Sequence, residues 1–214
     1  MELSSYDLVI FDCDGVLVDS ERLTVHEEAR MLTELGWPVN ADEVVGLFMG
    51  LSLATELEMV ADRLGAAAAE RFEHDLVPRL TAIFDAELTP VDGIPALLDA
   101  LAQKGVPTCV ASSGLPDGIR GKLDRTGLRE HFGDRISSAS EVERGKPAPD
   151  LFLLAAERMG VAPARAAVVE DSVPGVEAGV AAGMTVYGFA GGLARSEDLH
   201  AAGAVVFDAM AELH

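Results

Sequence analysis

The chain has 214 residues, 49% hydrophobic and 24% charged, a globular composition that excludes disordered and fibrous classes. Its formal net charge of −20, from 36 acidic against 16 basic residues, argues against nucleic acid and anionic membranes as partners, since both reward Lys and Arg. Cys13 and Cys109 sit inside apolar runs and read as buried thiols of a reducing compartment; with no leader pattern and no apolar run of about 20 residues, a cytoplasmic protein is expected.

The first element in chain order is an apolar strand over residues 7–12, "DLVIFD". Residues 20–35, 41–48, 52–64 and 67–86 then read as helices, broken at "GWPVN", at "MGLS" and near Gly65, with no strand among them. A helix over 93–104 leads to a strand over 106–112, and a helix over 116–126 to a weaker strand over 134–139. Residues 150–159 (helix), 166–171 (strand), 174–182 (helix) and 184–189 (strand) follow. A short helix and a strand over 204–207 close the chain. The strands are continuously apolar rather than alternating, as in a sheet covered on both faces. Strand–helix alternation predicts an α/β fold: an open, mostly parallel Rossmann-like sheet with helices on both faces. The expected core is 1–18 and 88–214, interrupted by an all-helical insertion, 19–87.

In such a sheet, ligands bind beyond the carboxyl ends of the strands. Those ends carry Asp12 and Asp14, then Ser112, then Glu170 and Asp171. A buried strand has no use for two aspartates one residue apart, so these acids belong at the mouth of the sheet. Read singly, each has an ordinary explanation: Asp12–Gly15 a turn, Ser112 a helix N-cap, Glu170–Asp171 a helix start, Lys146 a solvated charge.

Together, "DCDG" (12–15), "ASSG" (111–114), "GKPAPD" (145–150) and "VVEDS" (168–172) resemble the motifs of the haloacid dehalogenase superfamily. The match is nearest to the branch with a helical cap after the first strand, which includes β-phosphoglucomutase and small sugar-phosphate phosphatases. The resemblance implies that Asp12 is a nucleophile forming an aspartyl-phosphate, and Asp14 the acid that protonates the leaving oxygen and then the base that activates water. Gly15 would allow the tight turn that faces amides to the phosphoryl oxygens. Ser112 and the Ser113 amide would bind phosphate, and Lys146 would bridge it to Asp12. Mg²⁺ takes oxygen ligands, and the resemblance assigns it to Asp12, Asp14, Glu170 and Asp171, leaving open which of the last two binds directly.

An acid at position 14 points to phosphate esters rather than to dehalogenase or phosphonatase chemistry. Where the mutase carries a cap histidine this chain has Thr24, and the cap loop reads "MGLSL" without cations. Met49, Gly50 and Leu51 are the expected substrate-facing segment, and Arg22, Arg30 and Arg79 the candidate cations for a second phosphate. The expected function is hydrolysis of a small-molecule phosphate ester, a sugar, polyol or sugar-acid phosphate. A phosphomutase is the alternative; a non-catalytic binding or signalling module, such as a receiver domain, is a remote one.

Overall fold

The computed structural model describes residues 1–48 and 51–214. Four consecutive apolar residues form strand β1 (Leu8–Phe11), and all four are buried. A strand covered on both faces has no polar side to show, and the same unbroken burial marks β2 (Thr108–Ser112) and β4 (Ala166–Glu170). With β3 (Ile136–Ser138), β5 (Thr185–Phe189) and β6 (Val205–Phe207) they make a six-stranded sheet of order β3-β2-β1-β4-β5-β6. All its pairings are parallel.

Parallel neighbours need crossovers, and helices supply them: α5 (Ile94–Gln103), α6 (Pro116–Arg125), α7 (Arg129–Phe132), α8 (Asp150–Met159), α9 (Val173–Ala181) and α10 (Ser196–Ala201). They cover both faces of the sheet. On one, Leu8, Ile10, Ala166 and Val168 pack with Phe152 and Ala155 of α8, Val176 of α9 and Leu199 of α10. Successive strand residues point to opposite faces, so Phe11 lies on the other, edge-to-face with Phe132 of α7 at 6.3 Å between ring centroids. Each such buried side chain contributes about 1.5–3 kcal/mol. The short α7 is not among the elements expected from sequence.

Between β1 and α5 the chain forms α1 (Ser20–Glu34), α2 (Ala41–Phe48), α3 (Leu53–Leu64) and α4 (Ala66–Glu87). The starts of α2 and α3 are capped locally. Asn40 accepts from the Glu43 N–H at 3.0 Å while Glu43 accepts from the Asn40 N–H at 2.8 Å, a capping box; Ser52 caps α3. Apolar stripes at helical spacing meet in a second core of Leu32, Val44, Phe48, Val60, Phe72 and Leu76, with Trp37 packed against it. By contacts the chain divides into two compact units, Met1–Asp19 with Thr89–His214, and Ser20–Leu88. The Asp19 N–H donates to the Thr89 carbonyl at 3.0 Å, bringing the ends of the insertion together. Among the described residues no single helix is long and apolar enough to cross a membrane.

Candidate active site

The strand order reverses direction between β1 and β4, and the crevice beyond the carboxyl ends there is where α/β sheets hold ligands. Asp12 follows β1 directly, its N–H extending the ladder to the Val169 carbonyl at 3.0 Å. Glu170 ends β4 and Asp171 follows. All three acids are buried, at 6%, 1% and 3% exposure. Charges this deep persist only when paired and hydrogen-bonded.

Lys146 provides the pairing. It precedes α8, and its side chain is 6% exposed. Its Nζ donates to Asp12 Oδ1 and to Glu170 Oε1, both at 2.5 Å. The ammonium also lies 5.1 Å from the Phe152 ring centroid, an added electrostatic hold. Burial works against the Lys146 charge, but Asp12 and Glu170 outweigh it and hold its pKa above the ordinary lysine range. Asp12 is less fully compensated. Burial, with the charges of Glu170 and Asp14, pushes its carboxyl up to about 7 against the pull of Lys146.

Glu170 uses its other oxygen within its own loop. Oε2 accepts from the N–H groups of Asp171 and Ser172, each at 2.7 Å, and from the Ser172 hydroxyl at 3.0 Å. Ser172 Oγ in turn accepts from the Gly175 N–H at 3.1 Å, capping α9. Glu170 therefore binds Lys146 on one side and shapes the turn on the other.

Ser112 is the last residue of β2 and almost wholly buried. It does not cap α6, whose N-cap is Leu115. Its Oγ accepts from the Gly114 N–H at 3.1 Å, which leaves the hydroxyl hydrogen as its donor. Ser138, at the end of β3, fixes the same loop by donating to the Gly114 carbonyl at 2.6 Å. Ser113 is exposed. Gly15 has φ of +76°, a conformation that costs glycine little. Its own N–H donates to the Val18 carbonyl at 2.9 Å, so Gly15 contributes the turn.

Asp14 is half-buried and paired with Lys122 of α6. Sequence reasoning missed Lys122. The available signal was its place beside Leu123 and three residues after Ile119, both buried on the inner face of α6. Burial works against the Lys122 charge, but Asp14 outweighs it and its pKa is raised. Cys13, between the two aspartates, is fully buried, and burial holds its thiol well above the ordinary range, the opposite of a reactive cysteine. Of the expected substrate-facing segment, Met49 and Gly50 lie outside the described residues. Leu51 is exposed in the helical unit.

Among the described residues no three acidic, histidine or cysteine side chains stand together as a metal-holding group. Mg²⁺ does not require one, since it binds through one or two carboxylates and keeps water and substrate oxygens for the rest. The donors here are all oxygen, and the buried Asp12 carboxyl feels the negative charges of Glu170 and Asp14 as well as the positive charge of Lys146. The residues fit a hard divalent cation.

Residues 6–183 match the family model for haloacid dehalogenase-like hydrolases, and the chain belongs to this family. It is 33% identical over 188 residues to the 6-phosphogluconate phosphatase of Escherichia coli K12, covering 87% of this chain and 84% of that one. It is 31% identical over 205 residues to the phosphorylated carbohydrates phosphatase of Thermotoga maritima, covering 93% and 92%. Among solved structures, a haloacid dehalogenase family hydrolase from Deinococcus radiodurans, determined with bound phosphate and sodium, superposes with a TM-score of 0.83 at 32% identity, covering 98% and 93%. The protein is an enzyme of the phosphoric monoester hydrolase class.

Proposed function

We propose that the protein hydrolyses a small phosphorylated metabolite, a sugar, polyol or sugar-acid phosphate, through an aspartyl-phosphate on Asp12 and with Mg²⁺ as cofactor. One observation carries this reading: a buried carboxylate at the strand switch point, with one oxygen tied to Lys146 and through it to Glu170. The names of the E. coli and T. maritima relatives support the substrate class.

Lys146 holds Asp12 Oδ1, so Oδ2 is the attacking atom. It bonds to phosphorus, the ester P–O bond breaks, and Asp14 gives its proton to the departing oxygen. In the second step Asp14 takes a proton from water as that water's oxygen attacks phosphorus. The bond to Asp12 breaks and phosphate leaves. The Ser112 hydroxyl donates to a phosphoryl oxygen, and Lys146 favours the ionised form of Asp12 against its burial. When bound, Mg²⁺ would offset the phosphate's charge, held by Asp12, the Asp14 main-chain carbonyl and Asp171. Glu170 is committed to Lys146 and to its own turn, which favours Asp171 as the direct ligand of the pair.

Hydrolysis is favoured over mutase chemistry by the state of two of the three candidate cations, Arg30 and Arg79. A mutase must hold a second phosphate. Arg79 donates to Glu34 at 2.7 Å and to Glu27 at 3.3 Å, and Arg30 to Glu27 at 2.7 Å, so these guanidinium groups are neutralised by carboxylates. Thr24 donates to the Ser20 carbonyl one turn back and carries no group able to shuttle a proton as an imidazole does.

A phosphate-release screen of sugar, polyol and sugar-acid phosphates with Mg²⁺ tests the reading. Turnover is expected on one or more, abolished by EDTA and by Asp12→Asn with the circular dichroism spectrum unchanged. Undiminished turnover by Asp12→Asn would sink the nucleophile assignment; conversion of a hexose 1-phosphate to its 6-phosphate without phosphate release would favour the mutase.

A further inference from the structure

We infer that Lys122 is a positioning residue for proton transfer: its ammonium holds the Asp14 carboxyl in the orientation from which Asp14 serves the leaving oxygen. The inference rests on the reading of Asp14 as the general acid and extends it to a residue outside the four motifs.

The geometry carries it. Asp14 sits in the turn after β1, where Gly15 reverses the backbone with φ of +76°. The turn is closed by the Gly15 N–H to the Val18 carbonyl at 2.9 Å and the Leu17 N–H to the Cys13 carbonyl at 3.0 Å. These bonds fix the main chain and do not involve the Asp14 carboxyl. Lys122 supplies what they do not, donating from α6 to Asp14 Oδ1 across 108 positions of sequence. Its side chain is 20% exposed and that of Asp14 29%. A fully solvated pair of this kind holds little, whereas one largely removed from water keeps a defined geometry. Lys122 is itself anchored, between buried Ile119 and Leu123 on the inner face of α6, and the Thr126 hydroxyl bonds to its carbonyl at 2.9 Å.

Oδ1 accepts from the ammonium, which withdraws that oxygen from proton exchange and fixes the plane of the carboxyl. Lys146 does the same for Asp12. Each aspartate is thus held by one lysine through one oxygen, the two lysines coming from different crossovers. General acid–base catalysis contributes about 10²–10⁴-fold and depends on the acid lying within hydrogen-bond reach of its target. An Asp14 free to rotate would forfeit part of that factor.

The test compares kcat/KM for two aryl esters that differ in their need for a proton. Phenol has a pKa close to that of tyrosine, about 10, and departs poorly without protonation; the more acidic p-nitrophenol departs readily without help. For Lys122→Met the expected result is a fall of about 10–100-fold on phenyl phosphate, a fraction of the acid–base factor. On p-nitrophenyl phosphate the fall should stay within about threefold, since acid catalysis contributes little there. Lys122→Arg, which keeps a cation, should recover most of the phenyl phosphate activity. A structural defect or weakened phosphate binding would lower both substrates together, and that result overturns the inference, as would no loss on either or a gain in rate. Asp14→Asn separates the two levels of argument. If it fails to discriminate between the esters, the acid assignment itself falls. If it discriminates while Lys122→Met does not, only the role of Lys122 falls.

Discussion

A Cβ at residue 175 would lie 1.7 Å from Glu170 Oε1 and 2.0 Å from its carboxyl carbon. Gly175 is therefore a glycine because a carboxylate occupies the space of its side chain. Glu170 cannot retreat without losing two backbone N–H bonds, the Ser172 hydroxyl and Lys146. Gly175→Ala is expected to lower stability by about 2–4 kcal/mol, as overpacking combines with loss of a charge-assisted network. It should also lower phosphatase activity by displacing Lys146 from Asp12. Urea unfolding of the variant beside the wild type measures the first effect, and a midpoint equal to wild type would show that the network relaxes freely. At this scale Lys146 was legible because its motif marks it out in a chain poor in cations. Lys122 was not. A helix lysine is ordinarily solvated, and nothing local in the sequence names a partner 108 positions away.

Helix α1 illustrates the same contrast at the level of the element. Its stretch "HEEARMLTE" looks like a solvated charged face, yet Glu27 and Glu28 are 3% and 6% exposed. Glu27 is answered by Arg30 and Arg79. For Glu28, burial and then the nearby charge of Glu56 push the carboxyl up to about 8. The consequence for stability has a definite sign. Below the usual carboxylate value the group is protonated whether the chain is folded or not, and it costs nothing. As pH rises, the unfolded chain gains from ionisation while the folded helix holds the neutral acid, so stability falls until about pH 8 and then levels. Glu28→Gln removes that loss. The variant should match wild type near pH 4.5 and exceed it by a few kcal/mol, as an order of magnitude, at pH 8.5. Trp37, the single tryptophan, packs against the core of the helical unit, so its fluorescence reports this unfolding; a difference that does not grow with pH would remove the prediction. The strands were legible because burial on both faces writes a continuous apolar run, as in β1 and β4. The helix lengths were legible from apolar spacing. Which charged residues turn inward was not, because that depends on what packs against the helix.

The whole molecule inherits its organisation from where the insertion enters. One core, with Leu8, Val168 and Phe152, and the other, with Leu32, Phe72 and Val60, share no residue. The chain leaves the first unit after Asp19 and returns at Thr89, and those two residues are joined by a 3.0 Å backbone hydrogen bond. Val18 bridges Pro90 beside it, and the Val91 N–H donates to the Leu17 carbonyl at 3.0 Å. The base of the insertion is therefore a closed ribbon, and a short link across it carries less closure entropy than the native excursion. A protein in which two or three glycine and serine residues replace 20–88 is expected to keep the parallel sheet. Asp12, Asp14, Ser112, Lys122, Lys146, Glu170 and Asp171 all belong to the retained unit, so the ion pairs of the site should survive with it. Circular dichroism should show mixed helix and strand with one cooperative thermal transition. A broad, non-cooperative melt would mean that the sheet unit depends on the helical insertion for its folding, and that two separate cores do not make two separable units.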